Sequence, residues 1–217
     1  MTTRIGELAL AGGHRALDLV NTVAPRLPEA DRRDHLLSPE DLLTWSQRTG
    51  LVDAAEAREV AAAWSASSAA GRRALAAVTE IREALYEVLS ARLDDPDNPA
   101  AVQDELDHLS RAWASALSRS RLTPTTEGIG LARWAVCSPP ALLVADRVAQ
   151  DAVDLLSGIE PTRLGRCPVK DGGCGWLFLD HSRNRSRRWC TMEDCGTGAK
   201  ARRLTERRRR SRAATRK

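Results

Sequence analysis

Four cysteines crowd the C-terminal quarter of the chain, Cys167, Cys174, Cys190 and Cys195, in the spacing C-x6-C-x15-C-x4-C. Two cysteine pairs joined by a short insert can wrap one tetrahedral zinc ion, and thiolate is the ligand zinc favours in structural sites. Four thiolates leave no coordination position open, so such a site would hold structure and not perform chemistry. Disulfides are disfavoured in a reducing compartment, which makes one structural Zn2+ the better account of the cluster. His181 could compete as a ligand, but it lies in a polar loop between Asp180 and Ser182, and with the thiolate set complete a solvated histidine is expected. Cys137 lies apart in the apolar run LARWAVC and reads as a buried, inert thiol.

The cysteines sit in the most basic part of the protein. Residues 163–217 hold 17 Arg/Lys against 5 Asp/Glu, a net +12, whereas residues 1–162 hold 16 against 24, a net −8. An acidic body joined to a basic end suggests a polyanion partner. Only three of the 33 basic residues are Lys; a GC-rich genome would favour Arg over Lys but would not segregate charge. Arg183, Arg185, Arg187 and Arg188 lie among Ser182, Asn184 and Ser186, a composition suited to phosphate contacts. The run AKARRLTERRRR is helix-prone, and Lys200, Arg203, Arg207 and Arg210 share one of its faces, with Arg202 on a neighbouring stripe. A helix so furnished can enter a DNA major groove, where Arg reads guanine. Trp176 and Trp189 could stack on unpaired bases, an RNA-binding alternative, but a small finger core is the expected place for both.

These groups need a frame. GWLFLD alternates in strand fashion, with Trp176 and Phe178 on one side and Leu177 and Leu179 on the other. The arrangement of knuckle, hairpin and helix carrying the last ligand is treble-clef-like. Upstream, the chain reads as mainly α. A short buried helix follows Gly12–Gly13, and Ser38-Pro39-Glu40-Asp41 starts a helix that stops at Gly50. Asp53 opens another, and a long amphipathic helix spans about Gly71 to Leu93. A further helix carries Val102 to Leu117, a weak hairpin falls over 122–136, and a helix follows Pro139/Pro140. Ile159-Glu160-Pro161 marks a boundary, giving a helical domain over 1–160 with a minor β element and a zinc finger over 163–217. Asp18, Asn21, Arg48 and Trp45 could line a pocket for a small-molecule effector, although polar groups on apolar helices are more often caps or satisfied surface groups.

The run GWLFLDHSRNRSRRWCTMEDCG with its four cysteines and basic tail resembles the CGNR zinc finger. GGHRALDLVNTV and SPEDLLTWSQRTGLV resemble the α-rich ABATE domain that precedes it, so the likeness covers essentially the whole chain. It implies zinc on Cys167, Cys174, Cys190 and Cys195, DNA binding by the finger, and membership among stress-induced bacterial transcription regulators. One departure is direct: Cys195-Gly196-Thr197-Gly198 replaces Cys-Gly-Asn-Arg, removing an Asn and an Arg at the start of the recognition helix. Gly198 also lowers helix propensity by about 1 kcal/mol relative to Ala, so a later helix start is expected.

The function expected is therefore a zinc-dependent, duplex-DNA-binding regulator whose N-terminal domain senses or forms a homodimer. The alternatives are an RNA-binding protein and a zinc-stabilised protein-interaction module. No G-x-S-x-G, H-E-x-x-H or phosphate-binding glycine loop occurs, and the four histidines are scattered, so no enzyme is expected. The N-terminus has too short an apolar run for a secretory signal and no stretch is long enough to span a membrane, which gives a cytoplasmic expectation.

Overall fold

Capping chemistry sets the starts of the second and third helices in the computed structural model, which describes residues 4–26, 32–125, 131–202 and 204–205. Ser38 accepts a hydrogen bond from Asp41 N at 3.1 Å at the head of α2 (Pro39–Arg48), with Pro39 in the first turn. Gly50, at φ +68°, supplies the left-handed turn that follows. Asp53 caps α3 (Ala54–Ala66) with a complete capping box: its carboxylate accepts from Ala55 and Glu56 N, and Glu56 accepts from Asp53 N. The long helix α4 (Ser68–Asp94) starts earlier than expected, because only Ser67 separates it from α3. Gly71 lies inside α4, where a side chain would meet Pro39 and Trp64 at 3.1–3.3 Å. It marks close packing, not a helix end.

α5 (Gln103–Leu117) and α6 (Pro140–Gly158) pack against α4 and each other, and the short α1 (Arg15–Val20) lies across α4 and α6. The expected hairpin forms as antiparallel strands β3 (Ser120–Pro124) and β4 (Ala132–Val136), with Leu122 opposite Trp134. Two short antiparallel pairs accompany it: β1 (Val23–Ala24) with β2 (Arg33–Asp34), and β5 (Leu164–Arg166) with β6 (Leu177–Leu179). Arg82 pins the first pair, donating to Thr22 Oγ1 and to both carboxylate oxygens of Asp34 at 2.6 and 2.8 Å. Cys137 corrects its sequence reading. It follows β4 and is exposed, because the alternating pattern around it belongs to an outlying hairpin.

The core crosses the 159–161 boundary without a break. Leu17, Val78, Leu85 and Val144 of the helical body belong to one buried cluster with Leu164, Trp176, Leu177 and Phe178. β6 is accordingly buried at all three positions. Among the described residues no helix is long and apolar enough to cross a membrane.

Candidate metal centre and basic surface

The chain brings all four sulfurs together. The Sγ atoms of Cys167, Cys174, Cys190 and Cys195 lie within 4.8 Å of one another, with Cys174–Cys190 at 3.4 Å and Cys190–Cys195 at 3.6 Å. A tetrahedron with zinc–sulfur bonds of about 2.3 Å has an edge of about 3.8 Å, so the set matches the expected size. Disulfide bonding is excluded by the same separations, since bonded sulfurs lie about 2.05 Å apart.

Local backbone geometry explains the approach. Cys167 leaves β5 and donates its N–H to Trp176 O at 2.8 Å, while Gly173 N returns to Pro168 O at 2.8 Å. A Cβ at Gly173 would lie 2.6 Å from Cys167 Sγ and 2.9 Å from Pro168 O, so only glycine lets the loop fold over the first sulfur. Cys195 lies in a wide helical turn, Met192–Gly196, capped by Thr191, whose hydroxyl accepts from Asp194 N. The expected helix carrying the last ligand is thus preceded by that turn. Helix begins at Thr197 despite Gly198 and runs through residues 197–202, so the later start expected from Gly198 does not occur.

The sulfurs cannot all ionise unaided. Hydrogen bonding from Cys174, then Cys190, holds the Cys167 thiol down as the preferred thiolate. Hydrogen bonding to Cys167 pushes Cys174 and Cys190 up, and burial does the same to Cys195. A divalent cation removes that conflict, because it binds the deprotonated form of every ligand. His181 stands outside the set, exposed and against Gly13, where a Cβ would meet its Nε2 at 3.2 Å.

The centre is anchored to the body by groups that spacing alone did not reveal. Asn21 makes a peptide-like pair with Leu177, donating from Nδ2 to Leu177 O at 2.8 Å and accepting from Leu177 N at 3.0 Å. Trp176 Nε1 donates to Val23 O, Leu179 N to Gly12 O, and Arg26 N to Cys174 O. Gly12 N in turn donates to Asp18 Oδ1 at 2.8 Å. Arg166 reaches the end of α4, donating to both carboxylate oxygens of Asp94 and to Ser90 O.

The loop between β6 and Cys190 is built on Asp180, whose carboxylate oxygens accept from Ser182 N and Arg187 N. Hydrogen bonding from Ser182 holds its carboxyl below the ordinary value. Arg187, expected as a phosphate contact, points inward instead. Its guanidinium donates to the carbonyls of Leu179, Trp189, Cys190 and Ala11 and lies over the Phe178 ring at 4.4 Å. Arg185 pairs with Glu160 at 2.5 Å and donates to Thr162 Oγ1, Arg188 pairs with Asp171, and Arg202 donates to Gly172 O. Arg183 and Lys200 are exposed, and their side chains make no hydrogen bond or ion pair among the described residues. Arg203, Arg207 and Arg210 lie outside the described residues.

Residues 13–159 match the ABATE family, described as "Putative stress-induced transcription regulator". The chain belongs to the ABATE family. Residues 163–208 match the CGNR zinc finger, and both families are regulator and zinc-finger types, not enzymes. No curated protein matches the chain in sequence.

In this ABATE protein the segment GGHRALDLVNTV is a docking platform for the finger. Asp18 and Asn21, three residues apart on α1 and its cap, hold Gly12 and Leu177 respectively. Arg48 donates to Ile5 O and Leu8 O, at 2.7 and 3.0 Å, and Trp45 is fully enclosed. The effector pocket sketched from Asp18, Asn21, Arg48 and Trp45 is therefore not formed by them. Trp176 is likewise buried in the core and has no face free for base stacking.

Proposed function

We propose that this ABATE protein is a zinc-dependent, duplex-DNA-binding transcription regulator. One structural Zn2+ sits on Cys167, Cys174, Cys190 and Cys195, and Arg183 and Lys200 supply phosphate contacts. Arg185 and Arg188 reinforce them by exchanging surface ion pairs for phosphate, and the basic run through Arg202, Arg203, Arg207 and Arg210 extends the surface. Arg187 acts as the strut that fixes the loop to the metal centre. The observation carrying the proposal is the four-thiol cluster that fixes an exposed basic loop, 181–188, beside the start of a basic helix. The helical body over 1–160 serves the finger as a sensing or dimerising partner, and the site of action is the bacterial cytoplasm, where thiols stay reduced.

Trp176 is buried and offers no ring to a base, whereas Trp189 is only partly buried beside the Arg188 guanidinium, so base stacking alone does not separate duplex DNA from single-stranded RNA. The test uses the full-length, zinc-loaded chain: selection of bound sequences from a random duplex pool, followed by titration across salt. Arg183→Ala and Lys200→Ala should each lower the slope of log affinity against log salt by about 1 while zinc content stays unchanged. Chelation should abolish binding. No binding at about 50 mM salt, where counterion release strongly favours it, would leave the protein-interaction reading in its place. Tighter binding to single-stranded RNA would select the RNA reading.

A further inference from the structure

A crevice of about 220 Å³ opens where the body meets the finger. Its walls are Val88 and Leu89 of α4, Leu106 of α5, Leu156 and Ile159 at the end of α6, and Leu164 of β5. The one charged side chain on its rim is that of Arg92, which is exposed and whose guanidinium makes no hydrogen bond or ion pair among the described residues. An apolar cavity of about 150 Å³ is enough for a benzene-sized ligand, so this one has room for a single ring with a small substituent. A guanidinium beside an apolar slot is matched by a carboxylate, which it binds through two parallel hydrogen bonds.

The position gives such a ligand something to act on. Leu164 begins β5 opposite Leu179, and the strand ends one residue before Cys167. On the α4 side, Ser90 and Asp94 anchor Arg166 of the same strand. That seam is incompletely satisfied, since Ser90 Oγ and Arg166 Nε are buried without a hydrogen-bond partner among the described residues. A buried polar atom left unpaired costs free energy, so a shift of this seam that gave either atom a partner would be favourable.

We propose that the crevice is an effector site for a small aromatic carboxylate, the ring between α4, α5, α6 and β5 and the carboxylate on Arg92. Its occupation braces β5 against α4 and slows release of metal from the finger. This rests on the reading of the chain as a regulator only for its consequence, since the binding itself is independent of DNA.

The experiment titrates the zinc-loaded full-length protein with benzoate, and separately with toluene, following both by NMR. Benzoate should bind saturably at one site, with a dissociation constant in about the millimolar range or tighter. Arg92→Gln should weaken benzoate about tenfold or more and leave toluene unchanged, the pattern of a lost charge-assisted contact. Leu106→Phe, which fills the slot from α5, should remove both; a thermal melt and the zinc content establish that each variant is folded. Saturating benzoate should slow zinc transfer to a chelator in the wild type and not in Leu106→Phe.

Absence of saturable binding of either compound overturns the site, as does binding that survives Leu106→Phe in a folded variant. Benzoate binding unaffected by Arg92→Gln overturns the carboxylate assignment. Unchanged zinc transfer overturns the coupling. Should benzoate bind while no duplex DNA does, the site stands and the regulator reading falls; the reverse result has the opposite meaning.

Discussion

Asn21 does in one side chain what a strand does with its backbone. Its amide offers one donor and one acceptor to the two peptide groups of Leu177, both taken up in a place where Asn21 itself is fully buried. Asn21→Leu strands a buried N–H and a buried C=O, so it should cost about 3 kcal/mol in a urea unfolding series. A loss below about 1 kcal/mol would mean that the pair is replaceable. Asp18, one turn earlier, behaves differently. Burial pushes its carboxyl up to about 6, against the hydrogen bonds from Gly12 and Ala11 and the charges of Arg187 and Arg48. Between about pH 4 and pH 6 the folded chain therefore holds a proton that the unfolded chain has released, and this group's contribution to stability falls as pH rises through that window. Asp18→Asn should gain on the wild type by up to about 2–3 kcal/mol on going from pH 4 to pH 8. Urea midpoints of the two proteins at both values measure that difference, and a constant gap between them would show that Asp18 ionises normally.

At the level of elements, what is local was legible and what is remote was not. Ser38-Pro39 and Asp53 announce their helices because capping is settled within one turn. The hairpin of β3 and β4 was readable from its turn-rich centre. β5 and β6 pair across a loop holding two of the cysteines, and neither α1 nor its cap has a periodic pattern long enough to show that Asn21 faces a strand 156 residues away. The cysteine cluster could be read from residue type alone, whereas the inward turn of Arg187 could not, because its partners Ala11, Leu179 and Cys190 meet only in the fold. The loop of Val169–Gly173 makes a separate prediction. Gly173→Ala places a methyl group against Cys167 Sγ and the Pro168 carbonyl and should weaken zinc binding by about tenfold or more in chelator competition, since ligand geometry tolerates only about 0.2 Å. Gly6→Ala, where a Cβ meets nothing within 4 Å, is the matched control and should leave zinc affinity unchanged.

For the whole molecule, the shared core makes the metal a concern of the body as well as of the finger. Trp176, Leu177 and Phe178 are buried in one cluster with the helices, so a fragment starting at residue 163 would expose them to water. The loaded chain should melt in a single transition, and chelation should lower its midpoint by about 10 °C or more, as expected when a tight ligand of the native state is withdrawn. Two separated transitions, only one of them sensitive to chelator, would show that body and finger unfold independently. Cys137 offers a direct way to follow this. It is exposed after β4, whereas a bound ion would hold the other four of the five cysteine sulfurs. A maleimide should therefore label one position per loaded chain and five once the ion is stripped under denaturing conditions. The outlying thiol then serves as an internal standard, against which mass spectrometry can count how many molecules in a preparation carry their ion.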